Sequence, residues 1–155
     1  MHIKKHTVGK NLFTVQRYFK IFLNYRLKNH GLNSAQFMVL LRLMRQDGQS
    51  QEAINEGLKF DKGFLARVAK SLEKEGYIIR KVNQEDRRAY ELYLTERAKA
   101  LKPMIFETLK EWDDTILEGL NEKEIEIMEN ALDGMLERVV KKCKEVKEEG
   151  ENEKT

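Results

Sequence analysis

The sequence predicts a mainly helical protein with one small antiparallel β hairpin set between helical flanks. Three observations carry that expectation. Apolar residues recur every three or four positions through most of the chain, the spacing that lines one face of a helix. Asn33 and Asn121 each follow a leucine and precede Gln36 or Glu124 by three positions, the sequence form of a helix start. One stretch instead alternates apolar and polar residues, as a half-buried strand does. Charged residues make up 35% of the chain and Pro occurs once, which favours helix over loop. A length of 155 residues is about one domain by the usual ~100–200-residue expectation.

Taken in order, Val8, Leu12, Val15, Phe19, Phe22 and Leu23 fall at helical spacing and predict a first helix over about 8–29. Asn33 and Gln36 form a capping box, and Leu32 with Phe37 the hydrophobic staple beside it, so a second helix starts there. Its apolar face runs from Phe37 through Leu40, Leu41 and Met44. Asp47-Gly48 is a turn. Ser50 caps a short third helix ending near Gly57. Asp61 caps a fourth that runs to about Glu75, where Gly76 stops it. Strands are expected over 77–81 and 90–94, with the polar residues 82–89 as the turn. Thr95 caps a fifth helix over about 96–118, kinked near 99–103 because Pro103 removes a backbone donor. Asn121 with Glu124 opens a sixth, beside the staple of Leu120 and Ile125. Residues 148–155 are polar and expected to fray.

Charge is distributed unevenly. Residues 1–46 contain nine Lys/Arg and no acid, whereas residues 101–155 contain nine Lys/Arg against 16 Asp/Glu. A polyanion would bind the basic half, and the acidic tail should face away from it. A solvated basic face is the alternative, and charge alone does not separate the two. No run is long and apolar enough to span a membrane, and the start, Met1-His2-Ile3-Lys4-Lys5-His6, lacks the apolar stretch of a signal peptide. A single cysteine, Cys143, forms no internal disulfide and fits a reducing cytoplasm.

The fourth helix is the most informative. Leu65, Val68, Ala69 and Leu72 form its apolar side, and Gly63, Arg67, Lys70 and Lys74 form an acid-free row opposite. A helix of this kind fits a DNA major groove, with its first turns at base edges and its flanks at phosphates. Lys62, Gly63, Phe64 and Arg67 fall where bases would lie, and Arg67 suits a bidentate grip on guanine O6 and N7. Phe64 borders the apolar side, so local packing explains it equally well. The hairpin turn Glu85-Asp86-Arg87-Arg88 sets carboxylates beside two guanidiniums, and an arginine on a hairpin tip fits a minor groove. The candidate DNA-binding residues are Ser50, Lys62, Gly63, Phe64, Arg67, Lys70, Lys74, Asp86, Arg87 and Arg88.

Residues 32–97 resemble the winged helix-turn-helix of the MarR family (multiple antibiotic resistance regulators). The matching segments are Gly31-Leu32-Asn33-Ser34-Ala35-Gln36-Phe37, Leu65-Ala66-Arg67, and Leu72-Glu73-Lys74-Glu75-Gly76-Tyr77-Ile78. Asp86-Arg87-Arg88 followed by Leu92-Tyr93-Leu94-Thr95 is the most specific of them. The likeness extends to length and to helices on both sides of the core. It implies a homodimer built from the terminal helices, palindromic operator DNA, regulation by a small ligand, and an Asp86 that positions Arg88 for the minor groove. Departures are Ile54-Asn55 for the usual Leu-Ala, Lys59 at a turn position often held by Gly, Gly63-Phe64 for small hydroxyl residues, and Ala98 for Gly.

The expected organisation is therefore a mainly α winged helix-turn-helix over 32–95, a helical dimerisation region over 1–31 and 96–147, and a frayed tail over 148–155. The last helix carries Ile125, Met128, Leu132, Met135, Val139, Cys143 and Val146 at alternating spacings of three and four, a narrow stripe suited to another helix. Ile125, Met128, Leu132, Met135 and Val139 are the expected dimer contacts. Ligands of the family lodge between the winged domain and the dimerisation helices, and Arg17, Tyr18, Phe22, Tyr25 and Arg26 on the first helix suit an aromatic acid. No phosphate loop or nucleophile–base spacing marks an enzyme, and no cofactor is expected. The histidines His2, His6 and His30 are scattered, the His/Glu/Cys cluster of zinc-sensing members is not assembled, and the N-terminal Cys of peroxide-sensing members is missing. The reading is a cytoplasmic, ligand-responsive, dimeric transcription repressor acting on double-stranded DNA. Two alternatives stay open: a winged-helix adaptor whose basic row meets an acidic protein, and an enzyme using the first-helix aromatics as a pocket.

Overall fold

A computed structural model of the chain describes residues 7–84, 86 and 89–152. The chain divides into two compact units, Met1–Trp112 and Asp113–Thr155. The first opens with α1 (Thr7–Leu27) and a 3₁₀ turn (Lys28–His30), then α2 (Ser34–Arg45), β1 (Gln49–Ser50), α3 (Gln51–Leu58) and α4 (Lys62–Lys74). β2 (Ile78–Val82) and β3 (Tyr90–Leu94) follow, then α5 (Glu96–Lys99) and α6 (Lys102–Leu117), which carries the chain into the second unit, and α7 (Glu122–Asn152).

The helix starts are set by side chains that meet the orphan amides of the first turn. Asn33 Oδ1 accepts from the Ala35 and Gln36 amides, both at 3.0 Å, while Gln36 Oε1 accepts from the Asn33 amide at 2.9 Å, closing the box. Ser50, Asp61 and Thr95 cap α3, α4 and α5 through the Ala53, Phe64 and Ala98 amides. Asn121 and Glu124 form the second box, at the head of α7. Gly76, with φ +75°, takes the left-handed conformation that ends α4 and turns the chain into β2.

The sheet is antiparallel and three-stranded, in the order β1-β3-β2. The sequence suggests only a hairpin, because a two-residue strand carries no alternation. Gln49 nevertheless pairs with Leu92 and Ser50 with Glu91. Buried Gln49 is fixed from its other end, where its amide accepts from Arg42 Nε at 2.9 Å and donates to the Gln46 carbonyl at 2.6 Å. Asp47 Oδ1 also accepts the Leu94 amide at 2.9 Å, which draws the α2–β1 turn onto β3.

The core joins Leu23 and Leu27 of α1 to Phe37, Leu40 and Leu43 of α2, Ile54 of α3, Leu65, Val68 and Leu72 of α4, Tyr77 just before β2, and Ile78 and Leu92 of the sheet. Truncating any of its central leucines to Ala is expected to cost roughly 2–5 kcal/mol. Only the C-terminal part of the α1 stripe is covered. Leu23 is buried and Phe19 and Phe22 lie against Trp112 at ring distances of 4.8 and 5.5 Å, while Val8, Leu12 and Val15 stay exposed.

Two expectations are corrected. The fifth helix is broken rather than kinked: α5 closes after one turn, Ala100 and Leu101 lie outside helix, and α6 restarts at Lys102. Pro103 thereby sits in a first helical turn, where its missing amide costs nothing. The last helix continues through Asn152 instead of fraying from 148. Its Lys/Glu-rich end consists of strong helix formers. In the second unit, Ile125, Met128 and Met135 are half-buried and Leu132 and Val139 exposed, and none of the described residues of α7 is fully buried.

Candidate nucleic-acid interface

α4 presents the two faces its sequence requires. Leu65, Val68, Ala69 and Leu72 are buried, and Lys62, Gly63, Arg67, Lys70 and Lys74 are exposed. Both ends of the helix are fixed. At its start, Asp61 Oδ1 holds the Phe64 amide at 2.8 Å. At its end, the amide of buried Gln36 donates to Ser71 Oγ at 3.2 Å and to the Glu75 carboxylate at 3.0 Å, and Ser71 Oγ donates to Glu75 at 2.9 Å. Arg80 of β2 reaches across to Glu73, with Nε and Nη2 at 2.8 and 2.6 Å from Oε2. The hydrogen bond from Arg80 holds the Glu73 carboxyl below the usual carboxylate range. The Arg80 guanidinium also stacks 5.3 Å from the Tyr90 ring centre, so the wing is clamped to the helix it flanks.

Phe64 is half-buried and packs edge-to-face with Phe60, ring centres 5.1 Å apart. Packing is thus its structural role. It also touches the functional face, since the Arg67 guanidinium lies 5.9 Å over its ring. Gly63 lies beside the same guanidinium: a Cβ there would meet only Asp61 Oδ1 at 3.4 Å and Arg67 Nη1 at 3.6 Å. Ser50 is half-buried, and its oxygen is engaged as the α3 cap.

At the wing, Asn83 organises the turn. Its Oδ1 accepts the Asp86 amide at 3.0 Å, its amide nitrogen donates to Glu91 at 2.9 Å, and its backbone N–H meets the Ala89 carbonyl at 2.9 Å. Tyr93 Oη donates to the other oxygen of Glu91 at 2.8 Å, and Lys81 Nζ lies 4.5 Å over the Tyr93 ring. Asp86 is exposed. Arg87 and Arg88, with Glu85, lie outside the described residues, as do His2 and His6.

The structure brings Ser50 and Lys62 to one cavity of 220 Å³, where α3 and α4 meet the first residues of β3. Gln51, Asn55 and Tyr90 share its wall and escaped the sequence reading. Asn55 is the departure already noted beside Ile54, and its Oδ1 is buried with no hydrogen-bond partner among the described residues. Helical spacing could have found Gln51 and Asn55, one turn apart on α3; Tyr90 arrives only through the sheet.

Of the effector residues read from α1, Arg17 lies 5.8 Å over the Tyr18 ring and Arg26 5.6 Å over the Phe22 ring, and none of the five lines the cavity beside α1. Arg17, Tyr18 and Tyr25 are exposed, Phe22 packs on Trp112, and Arg26 pairs with Glu111. The cavity beside α1 lies on its adjacent face. It measures 360 Å³ and is lined by Gln16, Phe19, Lys20, Leu23, Ser34, Ala35, Met38, Phe60 and Phe64. A helical wheel does not reveal this, because four of the nine residues belong to α2 or α4 and one to the turn between α3 and α4.

Comparison with known proteins gives one consistent result. The MarR family model matches residues 32–90. A MarR transcriptional regulator from Methanosarcina mazei is 34% identical and superimposes with a TM-score of 0.79 over 88% of this chain and 99% of that one. A MarR-family transcriptional regulator from Listeria monocytogenes, solved in complex with 26mer DNA, is 28% identical with a TM-score of 0.81 over 86% of this chain and 89% of that one. The HTH-type transcriptional regulator SarZ of Staphylococcus haemolyticus is 32% identical over 63% of each chain. Among the described residues no helix is long and apolar enough to cross a membrane.

Proposed function

The chain belongs to the MarR family of DNA-binding transcriptional regulators, and from that premise we propose that it is a homodimeric repressor of palindromic operators, released by a small aromatic acid. The exposed, acid-free row Gly63-Arg67-Lys70-Lys74 on a helix pinned at both ends is the observation that carries the reading. Lys62 and Arg67 face base edges, and Lys70 and Lys74 face phosphates. Ser50 and Gln51 face the backbone at the head of α3. Asp86 positions Arg88, and Arg87 and Arg88 form the minor-groove contact. The Listeria relative on 26mer DNA supports a duplex long enough for two half-sites.

Residues 32–95 are the DNA-binding part, and residues 1–31 and 96–147 the dimerisation part. Unpartnered apolar residues on α7, Leu132 and Val139 among them, favour a second copy as their cover. The effector belongs in the 360 Å³ cavity rather than on the α1 residues first singled out. Its walls are mainly aromatic and aliphatic, and Lys20 with Ser34 offers a cation and a hydroxyl to a carboxylate. The cytoplasm is the proposed compartment.

Selecting DNA fragments with the purified protein and titrating the preferred duplex tests the reading. A palindrome should emerge, with log affinity falling linearly as log salt rises. Equal affinity for random competitor would favour the adaptor instead.

A further inference from the structure

We propose that the Phe64 ring couples the apolar cavity to Arg67, so that a cavity occupant weakens DNA binding by unseating one base-reading side chain. This rests on the roles proposed above for the cavity and for Arg67. One ring stands in both places. Phe64 bounds the cavity together with Phe60, against which it is packed edge-to-face at 5.1 Å. The same Phe64 ring carries the Arg67 guanidinium over its π face at 5.9 Å. Gly63 borders the same guanidinium, with Arg67 Nη1 3.6 Å from where a Cβ would stand, an ordinary contact distance.

The rest of α4 has little freedom to respond. Four of its residues are buried in the core, its cap is engaged, and its C-terminal end is held through Gln36, Ser71 and Glu75 and through Arg80 to Glu73. The freedom near the cavity lies in Phe60 and Phe64, both half-buried. An occupant that pushes between α1 and this pair therefore changes a side-chain rotamer at lower cost than it shifts a helix. Once the ring turns, Arg67 loses its stacking partner. The stacking alone is worth about two- to fivefold in an equilibrium constant at an exposed site. The release would act within one subunit, without any change in the separation of half-sites.

The protein carries a reporter for the cavity that is independent of DNA. Its single tryptophan, Trp112, lies 4.8 Å from Phe19, which lines the cavity. The experiment titrates 2-naphthoate and benzoate into full-length protein, reading Trp112 emission for occupancy and operator anisotropy for affinity. In the wild type, saturating probe should lower operator affinity at least fivefold and by no more than Arg67→Ala does. In Arg67→Ala the probe should still change Trp112 emission yet cost less than twofold further. Phe64→Leu should behave likewise, and should itself lower affinity about two- to fivefold. If the probe binds all three proteins and lowers affinity equally in each, the coupling is overturned while the cavity remains an effector site. If neither probe alters Trp112 emission up to millimolar concentration, the cavity reading falls and the coupling with it. Should Phe64→Leu not fold, the Arg67→Ala arm decides alone.

Discussion

Gln36 shows how much of this fold hangs on single polar side chains. It is 2% exposed, yet its amide closes the α2 capping box at one end and meets Ser71 and Glu75 of the recognition segment at the other. The box is visible in the sequence because its partners are three residues apart. The contact with Glu75 is not, because no local pattern links positions 39 apart. Gln36→Leu is expected to destabilise the protein by roughly 1–3 kcal/mol in chemical denaturation, since it strips a buried network of the donor that Ser71 and Glu75 share. A loss under a few tenths would show the network to be ornamental. Function separates by residue in the same way. Arg67→Ala should cost roughly 1–3 kcal/mol of operator affinity and relax preference at one position per half-site, whereas Lys74→Ala should weaken all sequences alike. Matching, sequence-independent losses measured by anisotropy would remove Arg67 from base reading. Both residues were legible as one basic row; the aromatic seat under Arg67 was not, since periodicity assigns Phe64 to the core and stops there.

The element that orients the wing is the bridge between α4 and β2. The hydrogen bond from Arg80 depresses the Glu73 carboxyl, with the nearby positive charge adding to it and partial burial opposing. A carboxyl lowered in the folded state contributes stability above its ordinary range and loses it as pH falls through the depressed value. Both partners are about one-third exposed, so the contribution is under about 1 kcal/mol. Glu73→Gln should therefore flatten the acid side of a stability–pH profile slightly, below pH about 5, and leave neutral stability within about 1 kcal/mol. A mutant melting curve that tracks the wild type at every pH would remove the bridge as a contributor. α2, α4 and α7 were readable at their starts because periodicity and caps agree there, and each begins where its cap falls. β1 was not readable because two residues cannot display a period, and its place comes from Gln49 and Asp47 reaching outside it. The break at Ala100 and Leu101 hid behind a proline that permits either a kink or a restart.

Across the whole molecule, the acid-free start and the acid-rich end were plain in the sequence, as was the α7 stripe. What covers that stripe was not, because a sequence shows which face is apolar and not what meets it. Leu132 and Val139 are 41% and 58% exposed. Replacing both with Glu would bury two unpaired charges in the proposed interface. Light scattering should then show loss of the dimer, and operator affinity should fall towards that of a half-site. A wild-type protein that scatters as a folded monomer at micromolar concentration would rule out the homodimer and the palindrome together.

The strand order β1-β3-β2 leaves one side of β2 without a neighbouring strand among the described residues. Ile79 and Val82 on that strand are 45% and 51% exposed, and Arg80 and Lys81 stand between them. A bare strand edge is a template on which another chain can add, and cations along it repel the incoming strand. On that principle Lys81, exposed on the strand, is expected to act as a gatekeeper against edge-to-edge stacking. Lys81→Val should leave the melting temperature nearly unchanged yet raise light scattering on storage at high concentration. The charge that decorates the wing also limits how crowded a solution becomes before strands of neighbouring molecules join.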